Sequence, residues 1–260
     1  MGTAQMQGAL WGARARDWAD IQEGMGVPAY EAVLREAQVG AGTRLLDVGC
    51  GAGRAAALAA GRGAQVTGLD AAEALVAIAR ERVPDGDFRV GEIEDLPYPD
   101  ETFDVVTGFN AFQYAASPAA ALTEAKRVTV PGGRVAMVVW GREEQCEHAA
   151  TLAALKPLLP PPPPGAGGPF ALSAPGLVED LMRQAGLDPV ASGEVPCPFR
   201  YPDLETAVRG LTAPGPAVQA AQHAGEEPIR QAIAASLAPY RTSDGGYLER
   251  NVFRYVVAVA

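Results

Sequence analysis

From Arg44 onward, short apolar runs alternate with stretches in which apolar and small residues recur at helical spacing. Arg44–Val48, Gln65–Leu69, Phe88–Val90, Phe103–Thr107 and Arg134–Trp140 predict strands. Between them, alanine-rich Arg54–Ala60, residues 72–82 closed by Pro84, and Pro118–Val128 ended by Pro131-Gly132-Gly133 predict helices. Strands separated by helices at this spacing imply a mostly parallel sheet with helices on both faces. Upstream, residues 8–22 predict a helix with Trp11 and Trp18 on one face and Ile21 beside them. Gly24, Gly26 and Pro28 break it, and Pro28 opens a second helix running to about Gln38.

The second half is less regular. Glu143–Leu155 predicts a helix, and the prolines Pro160–Pro164, followed by Gly165, Gly167 and Gly168, predict an extended loop. Ala174–Gln184 reads as a helix with Ser173 as its N-cap and Gly186 as its stop. Pro189–Pro198 is strand-like, residues 203–240 predict two or three helices, and Tyr247–Val259 predicts one long closing strand.

Composition narrows the classes of function. With 48% hydrophobic and 20% charged residues the chain is globular, and a formal charge of −10 argues against nucleic acid as a partner. Cys50, Cys146 and Cys197 lie far apart without a C-x-x-C pair, so a reduced compartment is expected and a disulfide framework is not. His148 and His223 are the only histidines, and no metal site is expected. Residues 1–30 show no charged n-region followed by an apolar core, and Val135–Trp140 is too short to span a bilayer. The expectation is a cytoplasmic protein without a membrane partner. The scarcity of lysine (Lys126 and Lys156) and the abundance of alanine suggest a high-GC bacterial genome.

The richest segment is Asp47-Val48-Gly49-Cys50-Gly51-Ala52-Gly53, which leaves a strand and opens a helix. Glycines at alternate positions permit a sharp turn and let a ligand approach the main chain. Counted from Gly51, the loop satisfies the G/A variant of a dinucleotide fingerprint; Asp47 tips the reading, because a carboxylate in the loop mouth repels a pyrophosphate and attracts an ammonium group. Asp70, at the end of the second strand, can accept from two adjacent ribose hydroxyls, from the helix that follows, or from both. Glu92, in Gly91-Glu92-Ile93-Glu94-Asp95-Leu96-Pro97, can accept from an exocyclic amine with Ile93 packed on the ring.

These residues, together with Leu96-Pro97-Tyr98-Pro99-Asp100-Glu101-Thr102-Phe103-Asp104-Val105-Val106, resemble class I S-adenosylmethionine-dependent methyltransferases, in particular the small-molecule group similar to ubiquinone/menaquinone C-methyltransferases. The likeness covers about residues 40–140. It implies a doubly wound, seven-stranded Rossmann-like α/β sheet whose last strand, within Arg250–Val259, runs antiparallel beside the fifth. The resemblance also implies S-adenosylmethionine as cofactor and S-adenosylhomocysteine as product. The methionine part would lie against the loop of Asp47, Gly49, Cys50, Gly51 and Gly53, and the ribose on Asp70. Adenine would lie by Ala71, Glu92 and Ile93, with Phe109 and Asn110 near the sulfonium; the family commonly has Asp or Asn where this chain has Glu92. Residues 1–260 are expected to form one methyltransferase domain: a helical cap (1–38), a cofactor core (40–142), lid insertions over the acceptor pocket (143–173 and 202–245) and remaining sheet elements (174–201 and 246–260).

A sulfonium is already a good leaving group, so the protein must chiefly align an acceptor with it, and no fixed catalytic motif is expected. His148 is the candidate base and Tyr114 a candidate orienting group. Trp18, with Trp11 and Arg14, is expected in a flap over the cofactor. The partner expected is a small molecule offering oxygen, nitrogen or carbon. Two alternatives stand beside this: a protein that binds the cofactor without methyl transfer, and an NAD-dependent dehydrogenase, for which a catalytic Tyr/Lys pair is expected but neither lysine of this chain is suitably spaced.

Overall fold

Leu45 and Leu46 face opposite ways on the central strand, and the two sides of the molecule are built on that alternation. The computed structural model describes residues 2–161 and 167–260, so the middle of the proline-rich loop lies outside the described residues. The strands are β1 (Arg44–Val48), β2 (Gln65–Asp70), β3 (Asp87–Val90), β4 (Phe103–Phe109), β5 (Thr129–Trp140), β6 (Asp188–Pro196), β7 (Phe199–Tyr201), β8 (Tyr247–Glu249) and β9 (Val252–Val259). Seven of them form one sheet in the order β3-β2-β1-β4-β5-β9-β6, while β7 and β8 pair separately. Pairings from β3 through β5 are parallel; β9 runs antiparallel to both β5 and β6, as expected. The strand order reverses between β1 and β4, which opens a crevice at their carboxyl ends.

The helices are α1 (Ala4–Gly12), α2 (Ala15–Asp17), α3 (Val27–Glu36), α4 (Arg54–Ala60), α5 (Glu73–Arg82), α6 (Pro118–Val128), α7 (Ala149–Leu155), α8 (Leu177–Gln184), α9 (Leu204–Leu211), α10 (Gly215–Ala224) and α11 (Glu226–Leu237). On one face of the sheet, Leu46, Val106 and Met137 pack against Leu122 of α6 and Met182 of α8. On the other, Leu45 and Val105 meet α3, α4 and α5, while Val138 and Val257 meet the α9–α11 group through Ile229 and Ile233. Each such fully buried aliphatic side chain contributes about 1.5–3 kcal/mol. Among the described residues, no helix is long and apolar enough to cross a membrane.

Four sequence expectations are corrected. The helix over 8–22 is broken: α1 ends at Gly12, and after α2 the chain passes through a π-turn (Trp18–Gln22) and a 3-10 turn (Glu23–Gly26). The break lets the two tryptophans meet edge to face, centroids 4.9 Å apart, while Ile21 turns away to pack against the α9–α11 group. Glu143–Leu155 is helical only in pieces, a 3-10 turn at Glu143–Gln145 and then α7. Ser173 does not cap α8; Gly176, at φ +88°, precedes that helix, and the Ser173 hydroxyl donates to the Trp140 carbonyl at 3.0 Å. The closing strand is interrupted at Arg250–Asn251. There the Asn251 carboxamide oxygen accepts from the His148 N–H at 3.0 Å and its amide nitrogen donates to the Glu249 carbonyl at 3.4 Å.

Candidate active site

After Val48 the chain turns through the glycine loop into α4. Gly49 and Gly51 sit at φ +68° and +55°, a region costly for residues with a side chain. The space is equally restrictive: a Cβ on Gly49 would stand 2.5 Å from the Ala111 Cβ, and one on Gly51 3.0 Å from Glu23 Oε1 and 3.3 Å from Trp18 Nε1.

The loop amides are already engaged. Those of Gly49 and Cys50 donate to the Leu69 carbonyl (2.7 and 3.1 Å), and that of Gly53 to the Cys50 carbonyl (2.9 Å). Gly51 N–H donates to Asp70 Oδ2 at 2.9 Å; the N–H groups of Ala52 and Arg54 donate to Glu23 Oε1 at 2.8 and 3.4 Å. A phosphate-binding loop offers free N–H groups at a helix N-terminus. Here internal carboxylates hold that position, and a pyrophosphate would meet their repulsion.

Three acids lie around this turn. Asp47 is 1% exposed and accepts from the Thr107 hydroxyl at 2.8 Å, across the β1–β4 register. Burial pushes its carboxyl up to about 7; the Thr107 bond opposes this, and the nearby charges of Glu23 and Asp70 add to it. Glu23 is also raised by burial, against the pull of Arg82, with which it forms an ion pair, and of the Arg54 and Ala52 amides. Arg82 in turn donates to the carbonyls of Ala52 (2.6 Å) and Ala19 (3.3 Å), tying the N-terminal segment to the loop. Asp70 is raised by burial, opposed by backbone amides; its Oδ1 accepts from Ala72 N–H at 2.8 Å, so it caps α5 while bracing the loop.

Above this turn lies a cavity with about 720 Å³ of empty space, part of it open to solvent. Gly49, Gly51 and Asp70 are at its floor, Ala71, Glu92 and Ile93 on one side, and Phe109, Asn110 and Ala111 on the other. Trp18 and Tyr114 line it as well, joined by Thr3, Ala4, Gln7 and Trp11 of the N-terminal segment. Asn110 has φ +52°, unusual for a residue other than glycine, and its side-chain oxygen accepts from Gln113 Nε2 at 3.1 Å. Burial pushes the Tyr114 phenol up to about 12, so at neutral pH this group keeps its proton.

The roof is α1. Ala4 N–H donates to Glu92 Oε2 at 2.9 Å, the Thr3 hydroxyl donates to the Tyr114 carbonyl at 2.9 Å, and Gly8 lies so close that a Cβ would stand 2.2 Å from the Ala71 carbonyl oxygen. Trp11 stacks edge to face on both Trp18 and Tyr114. Sequence reasoning missed Glu23 and the roof residues Thr3, Ala4 and Gln7. An acid in a glycine-rich break gives no periodic signal, and nothing local links residue 4 to residue 92.

Other expected residues stand away from the cavity lining. Asp47 lies beneath the loop and acts on the cavity only through its charge. The Cys50 thiol packs into the core with Val66 and Phe88, and Gly53 serves close packing, since a Cβ there would stand 2.9 Å from the Ala79 Cβ. His148 is not an exposed helix residue and is not among the residues lining the cavity. It is buried, stacked on Trp140, with Nδ1 3.1 Å from Glu249 Oε2. Glu249 is fully buried and also accepts from the Thr151 hydroxyl at 3.2 Å.

A doubly wound sheet with an antiparallel penultimate strand and an acid-braced glycine loop at its switch point defines a Rossmann-like methyltransferase fold. Residues 46–137 match the family model described as a methyltransferase domain. The chain is 33% identical over 153 residues to the ubiquinone biosynthesis O-methyltransferase of Cereibacter sphaeroides, covering 57% of this chain and 62% of that relative. It therefore spans about three fifths of that protein's length. Among solved structures, the fold is shared with a SAM-dependent methyltransferase from Aquifex aeolicus (TM-score 0.53, 18% identity, 89% of each chain) and with the [4+2]-cyclase SpnF (TM-score 0.56, 23% identity, 89% of this chain and 80% of that one). In motif and in fold the chain resembles class I S-adenosylmethionine-dependent methyltransferases, those of ubiquinone biosynthesis among them.

Proposed function

We propose that this protein is an S-adenosylmethionine-dependent methyltransferase acting on a small-molecule acceptor. The observation that carries the reading is the carboxylate-braced loop. Glu23 and Asp70 occupy the amides a dinucleotide would need, and with Asp47 they favour a cationic ligand. The NAD-dependent reading fails on the same ground.

The residues fit the group. Each oxygen of Asp70 accepts one amide and retains a lone pair for a ribose hydroxyl. Glu92 keeps acceptor capacity beside Ala4, and Ala71 and Ile93 give apolar flanks for a purine. Bound there, the cofactor supplies a methyl group on a sulfonium leaving centre. The protein's part is orientation and water exclusion: Phe109, Asn110 and Tyr114 bound the side from which an acceptor would approach, and the Tyr114 hydroxyl acts as a donor and not as a base. Oxygen is the proposed acceptor atom, supported by the O-methyltransferase name of the relative described above. The four expected sections of residues 1–260 would act as one unit, the N-terminal cap closing the cofactor end.

Calorimetry with S-adenosylhomocysteine tests the reading. Micromolar-range binding is expected, weakened about ten-fold or more in Asp70→Asn, because a charge-assisted bond to a sugar hydroxyl is lost. Equal affinities in the two proteins would remove the ribose assignment. A structure named as a cyclase shares this fold, so the fold alone does not fix methyl transfer, and cofactor binding without transfer is the second reading. An acceptor screen with a methyl-labelled donor decides between them.

A further inference from the structure

Two indole N–H groups stand in the roof of the cavity, and they are not equivalent. Trp11 Nε1 donates to Gln7 Oε1 at 3.2 Å. Trp18 Nε1 is buried and has no hydrogen-bond partner among the described residues. It stands over Gly51, 3.3 Å from where a Cβ would project, and its ring lines the cavity. An indole can only donate, and a buried donor left unmet is destabilising, so the position calls for an acceptor.

The surroundings specify what kind. Glu23, Asp47 and Asp70 ring the same turn, and Arg82, the cation among them, is committed to Glu23. A lone anion would be repelled, whereas a zwitterion would present its cation to the acids and its anion to the indole. We infer that Trp18 recognises the α-carboxylate of the ligand's amino-acid end and so selects amino-acid-bearing nucleosides over those without a carboxylate. This rests on the cofactor reading above and adds to it the group that discriminates. Arg54 is the competing candidate, since its Nε is also buried without a partner, but its side chain does not line the cavity.

The test is calorimetry with S-adenosylmethionine and its decarboxylated analogue, which keeps the sulfonium, the adenosine and the amine. Wild type is expected to prefer S-adenosylmethionine by about ten- to hundred-fold, the range for a bond to a charged group. Trp18→Phe keeps an aromatic ring against Trp11; it should lose that preference, with S-adenosylmethionine binding falling about ten-fold more than that of the analogue. Retained binding of the analogue also reports that the variant is folded. The inference is overturned if Trp18→Phe weakens both ligands equally, if it alters neither, if wild type shows no preference, or if Arg54→Gln abolishes the preference while Trp18→Phe keeps it. Failure of wild type to bind either ligand would overturn the cofactor reading itself, a separate and distinguishable result.

Discussion

Asp47 shows how one side chain can shape a site it does not touch. An aspartate titrates near 3.8 in an open chain, and in this fold near 7. Between those values the native state holds a proton that the unfolded chain has released. The stability contributed by this group is therefore complete below the unfolded value and lost as pH rises to about 7. Asp47→Asn cannot titrate, so wild type should gain on the variant by about 1–3 kcal/mol, several degrees in Tm, as pH falls from 8 to 4.5. Thermal melts across that range check it, and a constant gap would mean that Asp47 titrates normally. A ligand that brings a cation to this cluster favours the ionised carboxyl, so affinity for S-adenosylmethionine should tighten between pH 6 and 8. Calorimetry in buffers of different ionisation enthalpy would register the proton released.

At the scale of elements, the N-terminal segment matters most. α1 lies across the cavity mouth, held by the Ala4–Glu92 and Thr3–Tyr114 bonds and by the close approach of Gly8 to Ala71. Gly8→Val would push a side chain into the Ala71 carbonyl and lift the helix. Because α1 buries only Leu10 and otherwise roofs the cavity, the expected result is release of S-adenosylhomocysteine about ten-fold faster with Tm lowered by less than about 3 °C. Stopped-flow displacement measures the first, and limited proteolysis should show cleavage moving into residues 2–14. Unchanged release would show that the ligand leaves by another route. The breaks between α1 and α3 serve the same arrangement: a continuous helix would not bring Trp11 onto Tyr114, Trp18 over Gly51 and Glu23 under Ala52 together.

At the scale of the whole molecule, His148 belongs to the frame. With Glu249, Thr151 and Asn251 it ties the turn before β9 to the start of α7, inside an aromatic group of Trp140, Phe199 and Phe253. His148→Ala leaves the Glu249 carboxylate buried without its ring partner, and should destabilise by about 3–5 kcal/mol. Urea unfolding measures that loss, while affinity for S-adenosylhomocysteine at low temperature should stay within two-fold or so. A variant with full stability and no methyl transfer would return His148 to the chemistry.

The core strands β1 to β5, the helices α4 to α6, the acidic glycine loop and Asp70 were legible in the chain because each is a local matter: a run of apolar residues, an alanine-rich turn, glycines where no Cβ fits. Residues read off one by one as ligands also converged on a single cavity where they sit at the carboxyl ends of β1, β2 and β4, since parallel pairing brings those ends together whatever lies between. Tertiary structure alone decided that Glu23 reaches Ala52, that Ala4 rests on Glu92, and that His148 turns inward to Glu249 and not toward the crevice. Those contacts join residues dozens of positions apart, often through exposed-looking acids and small residues whose sequence carries no period. Their partners are chosen by the packing of whole elements, which no window along the chain contains.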